Sequence, residues 1–153
     1  MKYLTIISLV IFLCGCNNKA NKNEDNKTGK GIAVSCYLSA FHQDTVMLQL
    51  KDSNSVLTGI LNYLPYEKDG TIGSLYDIKL NGDTLFAMYQ STQEGQESIC
   101  EMAMLKKNNS YILTDDIWNN TNYKFDSSYT HGKFIEKNKI SFNGDTLKVA
   151  NCN

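Results

Sequence analysis

The sequence contains no arginine, so that all fifteen of its basic residues are lysine. Arginine supplies the planar fork that grips phosphate and carboxylate groups, and its absence argues against a phosphate-clamping enzyme or a protein that reads nucleic-acid bases. Sixteen acidic residues balance the lysines and give a formal net charge of −1. A nucleic-acid partner would need a basic face, and we therefore expect none.

The short motifs that carry catalysis are also missing. The chain has no glycine-rich phosphate loop, no nucleophile elbow, no His-Glu-x-x-His and no cysteine pair at zinc spacing. His42 and His131 are the only histidines, and His42 beside Asp44 is typical of a turn rather than of a catalytic dyad. We predict no enzymatic activity and no cofactor.

One set of soft metal ligands needs separate consideration. Cys100, Met102 and Met104 alternate along one strand and are the ligand types that Cu(I) prefers. Strand geometry places the first and last of them about 13 Å apart, too far for all three to hold one ion. We interpret them as apolar filling of a β core and predict no metal site.

A single long apolar run stands near the N-terminus. Residues 3–13 carry no charge and follow Lys2. Eleven residues are too few to span a bilayer, but they fit the apolar region of a signal peptide. The next four residues, Leu13-Cys14-Gly15-Cys16, resemble the lipobox of bacterial lipoproteins. The resemblance implies cleavage before Cys16 and lipidation of its sulfur, and an ordinary secretory signal with incidental cysteines is the alternative.

These features divide the chain into a signal peptide (1–15), a lipidated tether (16–30) and one β domain (31–153). Residues 17–30 include five Asn and four Lys. Such a segment cannot bury apolar surface, so we expect a disordered tether with a reach of about 20 Å. Asn17, rather than Asp, follows the lipobox cysteine, which by the rule of that family favours the outer membrane. The periplasmic or surface face is left open.

From residue 31 onward, short apolar alternations are separated by turn residues, and no segment of ten residues has helical periodicity. Asn81-Gly82 and Asn143-Gly144 are strong hairpin signals. We predict strands near 31–41, 45–51, 55–64, 71–80, 84–91, 97–106, 110–115, 133–136, 139–142 and 146–150. An all-β meander of eight to ten strands is expected to close into an up-and-down, lipocalin-like barrel, since closure removes exposed edges. A β-sandwich is the alternative.

Alternation also predicts which side chains face the interior. The sets expected to face inward are Ile32, Val34, Cys36 and Leu38 in the first strand, Val46, Leu48 and Leu50 in the second, and Ile72, Tyr76, Ile78 and Leu80 in the fourth. The segment 97–106 is apolar on both faces, so its orientation is left open.

Three cysteines remain in the domain, and an oxidising compartment allows one disulfide among them. We predict a bond between Cys36 and Cys152, because barrel closure brings the first and last strands together. Pairing of Cys36 with Cys100 is the alternative. Cys152 has the opposite parity to Leu147 and Val149, so the favoured bond requires a bulge or a free tail.

The segment 115–129 is the longest stretch without a clear strand, and it mixes aromatic residues with Asn and Asp. Long loops of this kind are often functional, and these aromatics could stack on a sugar or form a ligand lip at the barrel mouth. Aromatics that merely complete the core are the alternative. The candidate lip residues are Trp118, Tyr123, Phe125 and Tyr129.

Three predicted strands begin with Asp, Thr and an aliphatic residue, the threonines being Thr45, Thr84 and Thr146. Hairpin chemistry accounts for the pattern. The triplets also resemble the acceptor motif for O-glycosylation in Bacteroidetes. With the lipobox, the Asn/Lys tether and short stretches such as 66–69 and 82–87, the whole chain resembles small Bacteroidetes lipoproteins.

Two hypotheses for function follow from this organisation. The first is an envelope lipoprotein whose barrel binds a small apolar ligand or a glycan. The second is a structural or interaction lipoprotein of the outer membrane with a filled core and no ligand. A lined cavity would favour the first and a packed interior the second. The expected partners are the membrane, through the lipid on Cys16, and a small molecule, glycan or envelope protein.

Overall fold

The computed structural model describes residues 32–114 and 120–152. Within these ranges the chain forms ten strands and one short 3₁₀ helix, Lys137–Lys139. The strands are β1 (Ala33–Phe41), β2 (Asp44–Ser53), β3 (Val56–Leu64), β4 (Thr71–Asn81), β5 (Thr84–Gln93), β6 (Gln96–Lys107), β7 (Ser110–Leu113), β8 (Tyr123–Phe125), β9 (His131–Phe134) and β10 (Thr146–Ala150). No helix in the two ranges is both long and apolar enough to cross a membrane.

Several predictions concern residues beyond these ranges. The signal peptide, the lipidation site at Cys16, the tether and Trp118 all lie outside the described residues. They stay predictions.

Eight strands form a closed antiparallel barrel. Strands β1 to β7 pair in sequence order, and β10 lies between β7 and β1 and completes the circuit. The prediction of an up-and-down barrel is therefore confirmed against the sandwich. β8 and β9 lie outside the circuit, because β9 pairs in parallel with β6 and β8 pairs only with β9.

The hairpin signals gave different results. At Asn81-Gly82 the predicted hairpin forms, with Gly82 at φ +58° and Asn81 opposite Thr84. At Asn143-Gly144 it does not, because the preceding strand predicted at 139–142 is absent. Gly144 instead allows a close approach of two chain segments, since a Cβ there would overlap the Thr114 carbonyl oxygen.

The segment 135–142 does not form a strand, yet both backbone polar groups of Glu136 within it are hydrogen-bonded. The side-chain amide of Asn122 accepts a hydrogen bond from the Glu136 backbone N–H at 2.9 Å and donates one to the Glu136 carbonyl at 2.7 Å. One side chain therefore satisfies both backbone groups that a neighbouring strand would have bonded.

The barrel interior is filled by side chains from its strands. The large side chains that are almost completely buried there are Leu48, Leu61, Leu75, Leu85, Met104 and Leu147. The inward face predicted for β2 is confirmed by the burial of Val46, Leu48 and Leu50. In β6 the open question of orientation is resolved by Met102 and Met104, which belong to this core.

The inward face predicted for β1 is wrong. Three of the four residues expected inside are exposed: Ile32, Val34 and Leu38. Tyr37 packs into the core instead, with its ring edge-to-face against Tyr111 at 5.0 Å. Tyr37 lies opposite the buried Leu48, and this pairing with β2 sets the orientation of the strand. A strand with apolar residues on both faces does not reveal its inner face by alternation alone.

The inward face predicted for β4 is also wrong over most of its length. Ile72 and Tyr76 are exposed, while Leu75 is buried. A bulge between Tyr76 and Lys79, with Asp77 at φ +48°, then shifts the parity. Ile78 beyond the bulge consequently packs against the core, as predicted, whereas the prediction assumed one uninterrupted alternation. Leu80 at the strand end is exposed.

The predicted disulfide between Cys36 and Cys152 is present, with Cα atoms 5.3 Å apart, and Cys100 is a buried free thiol. Of the two arrangements expected, a bulge or a free tail, the structure has the tail, because Cys152 lies beyond the end of β10. Cys36 lies on the outer face of β1 opposite Ala150, and Cys152 follows Ala150 by two residues with the same parity. The parity conflict and the inverted face of β1 therefore have one cause, the assignment of Cys36 to the interior.

Tyr89 connects three neighbouring strands. Its ring lies over Gly73 of β4, where an added Cβ would overlap the ring. The ring thereby reaches β3, and its hydroxyl donates a hydrogen bond to the Leu61 carbonyl at 2.9 Å. Burial raises the pKa of Tyr89 above its ordinary value, so the hydroxyl remains a donor.

Loss of the disulfide should lower the melting temperature of the protein. The bond joins residues separated by 116 positions, and the chain-entropy model gives at most about 4–5 kcal/mol for a loop of this length. Cys36→Ser, Cys152→Ser and the double variant should melt at the same temperature, because each removes the same bond. Additive losses, or a non-reducing peptide map that links Cys100 to another cysteine, would contradict the assignment.

Gly73→Ala should destabilise the barrel by about 1–3 kcal/mol in urea denaturation, because the new methyl group overlaps the Tyr89 ring. Ser74→Ala, at the exposed next position, is the matched control and should change stability by less than about 0.5 kcal/mol. Combining Gly73→Ala with Tyr89→Leu should cost less than the two single losses added together. Strict additivity would show that the two residues do not interact.

Candidate functional site

A cleft of about 400 Å³ lies beside strands β8 and β9, and we refer to it as the β8–β9 cleft. Met88 and Ile99, which line it, alternate with buried residues of β5 and β6 and therefore point away from the barrel interior. The complete lining is Met88, Ile99, Lys124, Phe125, Asp126, His131, Gly132 and Lys133. Half of these residues are apolar or glycine and half are charged or titratable.

A second hydrophobic cluster holds β8 and β9 against the barrel. Its buried members are Cys100, Ala103, Tyr123 and Phe134. The Tyr123 ring packs edge-to-face on Phe134 at 4.9 Å and covers Gly132, where a Cβ would overlap it. The Tyr123 hydroxyl donates to the Glu101 carbonyl at 2.9 Å, and burial raises its pKa above the ordinary value. Tyr123 is therefore a structural support of the cleft.

Glu101 adds a polar connection between β6 and the same unit. Its Oε2 accepts a hydrogen bond from the Phe134 backbone N–H at 3.1 Å, and its Oε1 forms an ion pair with Lys137. The Lys137 ammonium also lies 4.9 Å from the centre of the Phe86 ring, within the range of a cation–π contact. The contacts of Glu101 with Phe134 and Lys137 therefore hold β9 against β6, in addition to the second hydrophobic cluster.

Asp126 organises the turn between β8 and β9. Its Oδ1 accepts hydrogen bonds from the backbone N–H groups of Thr130 at 3.0 Å and His131 at 3.3 Å. Its Oδ2 accepts one from the Ser128 hydroxyl at 2.9 Å and lies 3.1 Å from His131 Nδ1. Desolvation would raise the pKa of Asp126, but the hydrogen bonds from Ser128, His131 and Thr130 outweigh it and lower the pKa to about 2. The ionised carboxylate therefore orients the imidazole.

Three basic side chains share one face of this unit. Lys124 and Lys133 are directly opposite each other across β8 and β9, and His131 precedes Lys133 by two residues. Like charges directly opposite each other destabilise a strand pair. Neither lysine forms an ion pair within the described part of the chain, and the nearby Asp126 carboxylate is already engaged. The edge of the cleft is therefore positively charged.

The candidate lip residues have separate environments. Tyr123 is 7% exposed and belongs to the second cluster, as the core alternative expected. Phe125 lines the β8–β9 cleft, and Tyr129 is exposed, with its ring 6.0 Å from Phe125. A role for Phe125 and Tyr129 in a ligand lip stays a prediction. Trp118 is outside the described residues.

The sequence reasoning missed the part of the site that carries charge. His131 stood out only as one of the two histidines, and no sequence pattern singled out Lys124, Asp126 or Lys133. The series Asp126, Ser128, Thr130 could have indicated a turn closed by an aspartate, because Asp, Ser and Thr side chains bond nearby backbone N–H groups. Nothing in the local sequence indicates that Lys124 and Lys133 are opposite each other.

The other candidate chemistry does not converge on a site. His42 occupies the turn between β1 and β2 at φ +55°, and Asp44 accepts a hydrogen bond from the Tyr66 backbone N–H at 2.7 Å. Among the described residues, no group of three His, Cys, Asp or Glu side chains could hold a metal ion. The threonines proposed for O-glycosylation, Thr45, Thr84 and Thr146, lie at the first or second position of their strands, and their modification stays a prediction.

A second surface of interest lies on the outer wall of β1 to β4. Leu38 is opposite Met47, Met47 is opposite Asn62 and Asn62 is opposite Ile72, which makes one row across four strands. We call Leu38, Met47, Ile60 and Ile72 the outer apolar row, and the half-buried amide of Asn62 lies among them. The exposed fractions are 37% for Leu38, 45% for Met47, 43% for Ile60 and 61% for Ile72. A groove of about 440 Å³ lies beside the row and the Cys36–Cys152 bond.

A larger hollow of about 660 Å³ lies between the loop after β3 and the turn after β5. Its lining residues are Pro65, Glu67, Lys68, Asp69, Gln93 and Glu94. Charged and polar loop residues dominate this lining, with no apolar floor to bury the body of a ligand. It is a weaker candidate site than the β8–β9 cleft.

The Asp126 carboxyl should titrate near pH 2 in the folded protein, below its ordinary value of 3.8. Because the folded pKa is the lower one, the stability that this group contributes is present above about pH 3.8 and is lost as the pH falls through about 2. Carbon NMR of the carboxyl group measures the titration. Ser128→Ala should raise the pKa of Asp126, and no change in that variant would exclude the proposed cause.

Comparison with protein-family models, with curated proteins and with solved structures found no match to this chain. Its function is therefore inferred from the residues of its own outer wall.

Proposed function

We propose that this chain is a lipid-anchored protein of the bacterial outer membrane whose β domain is an interaction module without catalytic activity. The anchor is supported by the lipobox resemblance at Leu13–Cys16 and by the polar tether that follows it. The observation that carries the interaction role is the single buried cluster that the described barrel strands form in the interior. Such packing favours recognition on the outer wall over a lipocalin-type ligand inside the barrel.

The outer apolar row supports this role. Soluble proteins seldom expose contiguous apolar side chains, and where they do, the surface commonly binds a partner. The row includes β1, the first strand after the tether, so the anchored end of the domain and the exposed apolar surface belong to the same wall. Another envelope component at the membrane is within reach of that wall, since the tether extends about 20 Å.

Binding of a small ligand is the second candidate function. It is favoured by a specific observation, the β8–β9 cleft with its apolar lining and positive edge. The sequence predicted a ligand bound by the barrel itself, whereas this cleft lies outside the barrel interior. It is compatible with the interaction role, since the cleft and the outer apolar row involve different strands.

Photocrosslinking in living cells tests the interaction role. A photoreactive amino acid at Met47, in the centre of the outer apolar row, should give a discrete adduct with an envelope component. Cys16→Ala should abolish labelling with palmitate and leave unprocessed precursor, and it should also abolish the adduct because the domain no longer reaches the outer membrane. Continued palmitate labelling of this variant would exclude Cys16 as the anchor.

Two charge variants provide the matched control. Ile60→Lys places a charge within the row and should reduce the Met47 adduct at least about fivefold, since apolar contact is lost. Gln90→Lys places the same charge on the exposed outer wall of β5 and should leave the adduct unchanged. Equal yields in both variants, with melting temperatures that show both are folded, would contradict an interface at the row.

A further inference from the structure

The opposed lysines of the β8–β9 cleft are the starting observation. Lys124 and Lys133 occupy directly opposite positions, where Cβ atoms are about 4.5–5.5 Å apart. Their ammonium groups repel each other, and no carboxylate of the described residues is paired with either one. An anion placed between them would remove this repulsion and accept a hydrogen bond from each.

The apolar lining indicates what the anion is attached to. Met88 and Ile99 line the cleft from β5 and β6, and Ile99 is paired with His131, so that it lies on the same face as the basic side chains. A bare inorganic anion would gain nothing from this lining. An organic acid with a small apolar body would bury that body here while its charge stayed at the edge.

His131 supplies a third polar contact. Its Nδ1 is engaged by Asp126 at 3.1 Å and by the Thr130 hydroxyl at 3.1 Å, so Nε2 is the ring nitrogen available to a ligand. Asp126 is in turn held by the backbone of its own turn. The imidazole is therefore oriented before any ligand arrives, which reduces the entropy that binding would cost.

We infer that the β8–β9 cleft binds a small amphipathic carboxylic acid. Its apolar body lies against Met88 and Ile99, and its carboxylate lies between Lys124 and Lys133. A carboxylate is favoured over a phosphate monoester because the cleft has no arginine fork or array of backbone donors to satisfy three phosphate oxygens. This ligand site goes beyond the proposed interaction role and does not depend on it.

The test uses the processed full-length protein in detergent and the probe 3-phenylpropanoate. The methyl ¹³C signal of Met88, assigned with Met88→Leu, should shift saturably as the acid is added. The uncharged analogue 3-phenylpropanol has nearly the same body and should bind at least about fivefold more weakly, because it cannot form the charge-assisted contacts. Equal affinities for the acid and the alcohol, or no saturable shift, would overturn the inference.

The lysine variants locate the carboxylate. Lys124→Gln and Lys133→Gln should each weaken binding of the acid about fivefold, and neither should lower the melting temperature, because each removes a repelling charge. Lys106→Gln, at an exposed position near the end of β6, is the matched control and should bind normally. Equal weakening in all three variants would mean that only the overall charge matters and would overturn the assigned site.

Two further probes distinguish a carboxylic acid from a free inorganic anion and from an anionic lipid headgroup. Inorganic phosphate should not shift the Met88 signal at concentrations where the acid saturates it, and an equal shift would identify a plain anion site. Phosphatidylglycerol added to the micelles should not displace the acid. Displacement would identify the cleft as a site for an anionic lipid headgroup and would overturn the inference, whatever the photocrosslinking experiment finds at the outer apolar row.

Discussion

The insertion of β10 between β1 and β7 is the constraint on which the rest of the structure depends. β10 has five residues, and it pairs with β1 through Cys36 and Ala150 and with β7 through Leu147 and Tyr111. Without it, β1 and β7 would be two exposed edges, and the completely buried Leu147 would be missing from the interior. The disulfide from Cys152 to Cys36 fixes this short strand immediately beyond its end.

The same arrangement explains why there is a cleft. β7 is only four residues long and pairs with the last part of β6, from Met104 to Lys107. The earlier part of β6 is thus left without a barrel neighbour on that side, and β9 pairs with it at Ile99 and Cys100. The chain between β7 and β10 provides β8 and β9. The short strand β7 therefore pairs with β10 to close the barrel and also leaves the early part of β6 open to β9 and the cleft.

The outer apolar row and the β8–β9 cleft belong to different walls of the barrel. The sequence indicated part of the cleft, because the aromatic segment that includes Phe125 and Tyr129 stood out as the longest stretch without a clear strand signal, although Tyr123–Phe125 form β8. It did not indicate the opposed Lys124 and Lys133, since their pairing depends on β9 docking to β6. A cluster of aromatic residues can be recognised in the sequence. Two lysines that face each other cannot, because their positions depend on how the strands pair.

The sequence by itself determined an all-β meander and favoured the Cys36–Cys152 bond, with a sandwich and a Cys36–Cys100 bond left open. Turn residues such as Asn81-Gly82 fix where strands reverse, and closure of the barrel by β10 brings Cys36 near Cys152. Only the tertiary structure decided which face of a strand is inside. β1 and β4 carry apolar residues on both faces, so burial is set by pairing with neighbours, as when Tyr37 lies opposite Leu48, and by the bulge at Asp77, which no local pattern of hydrophobicity reveals.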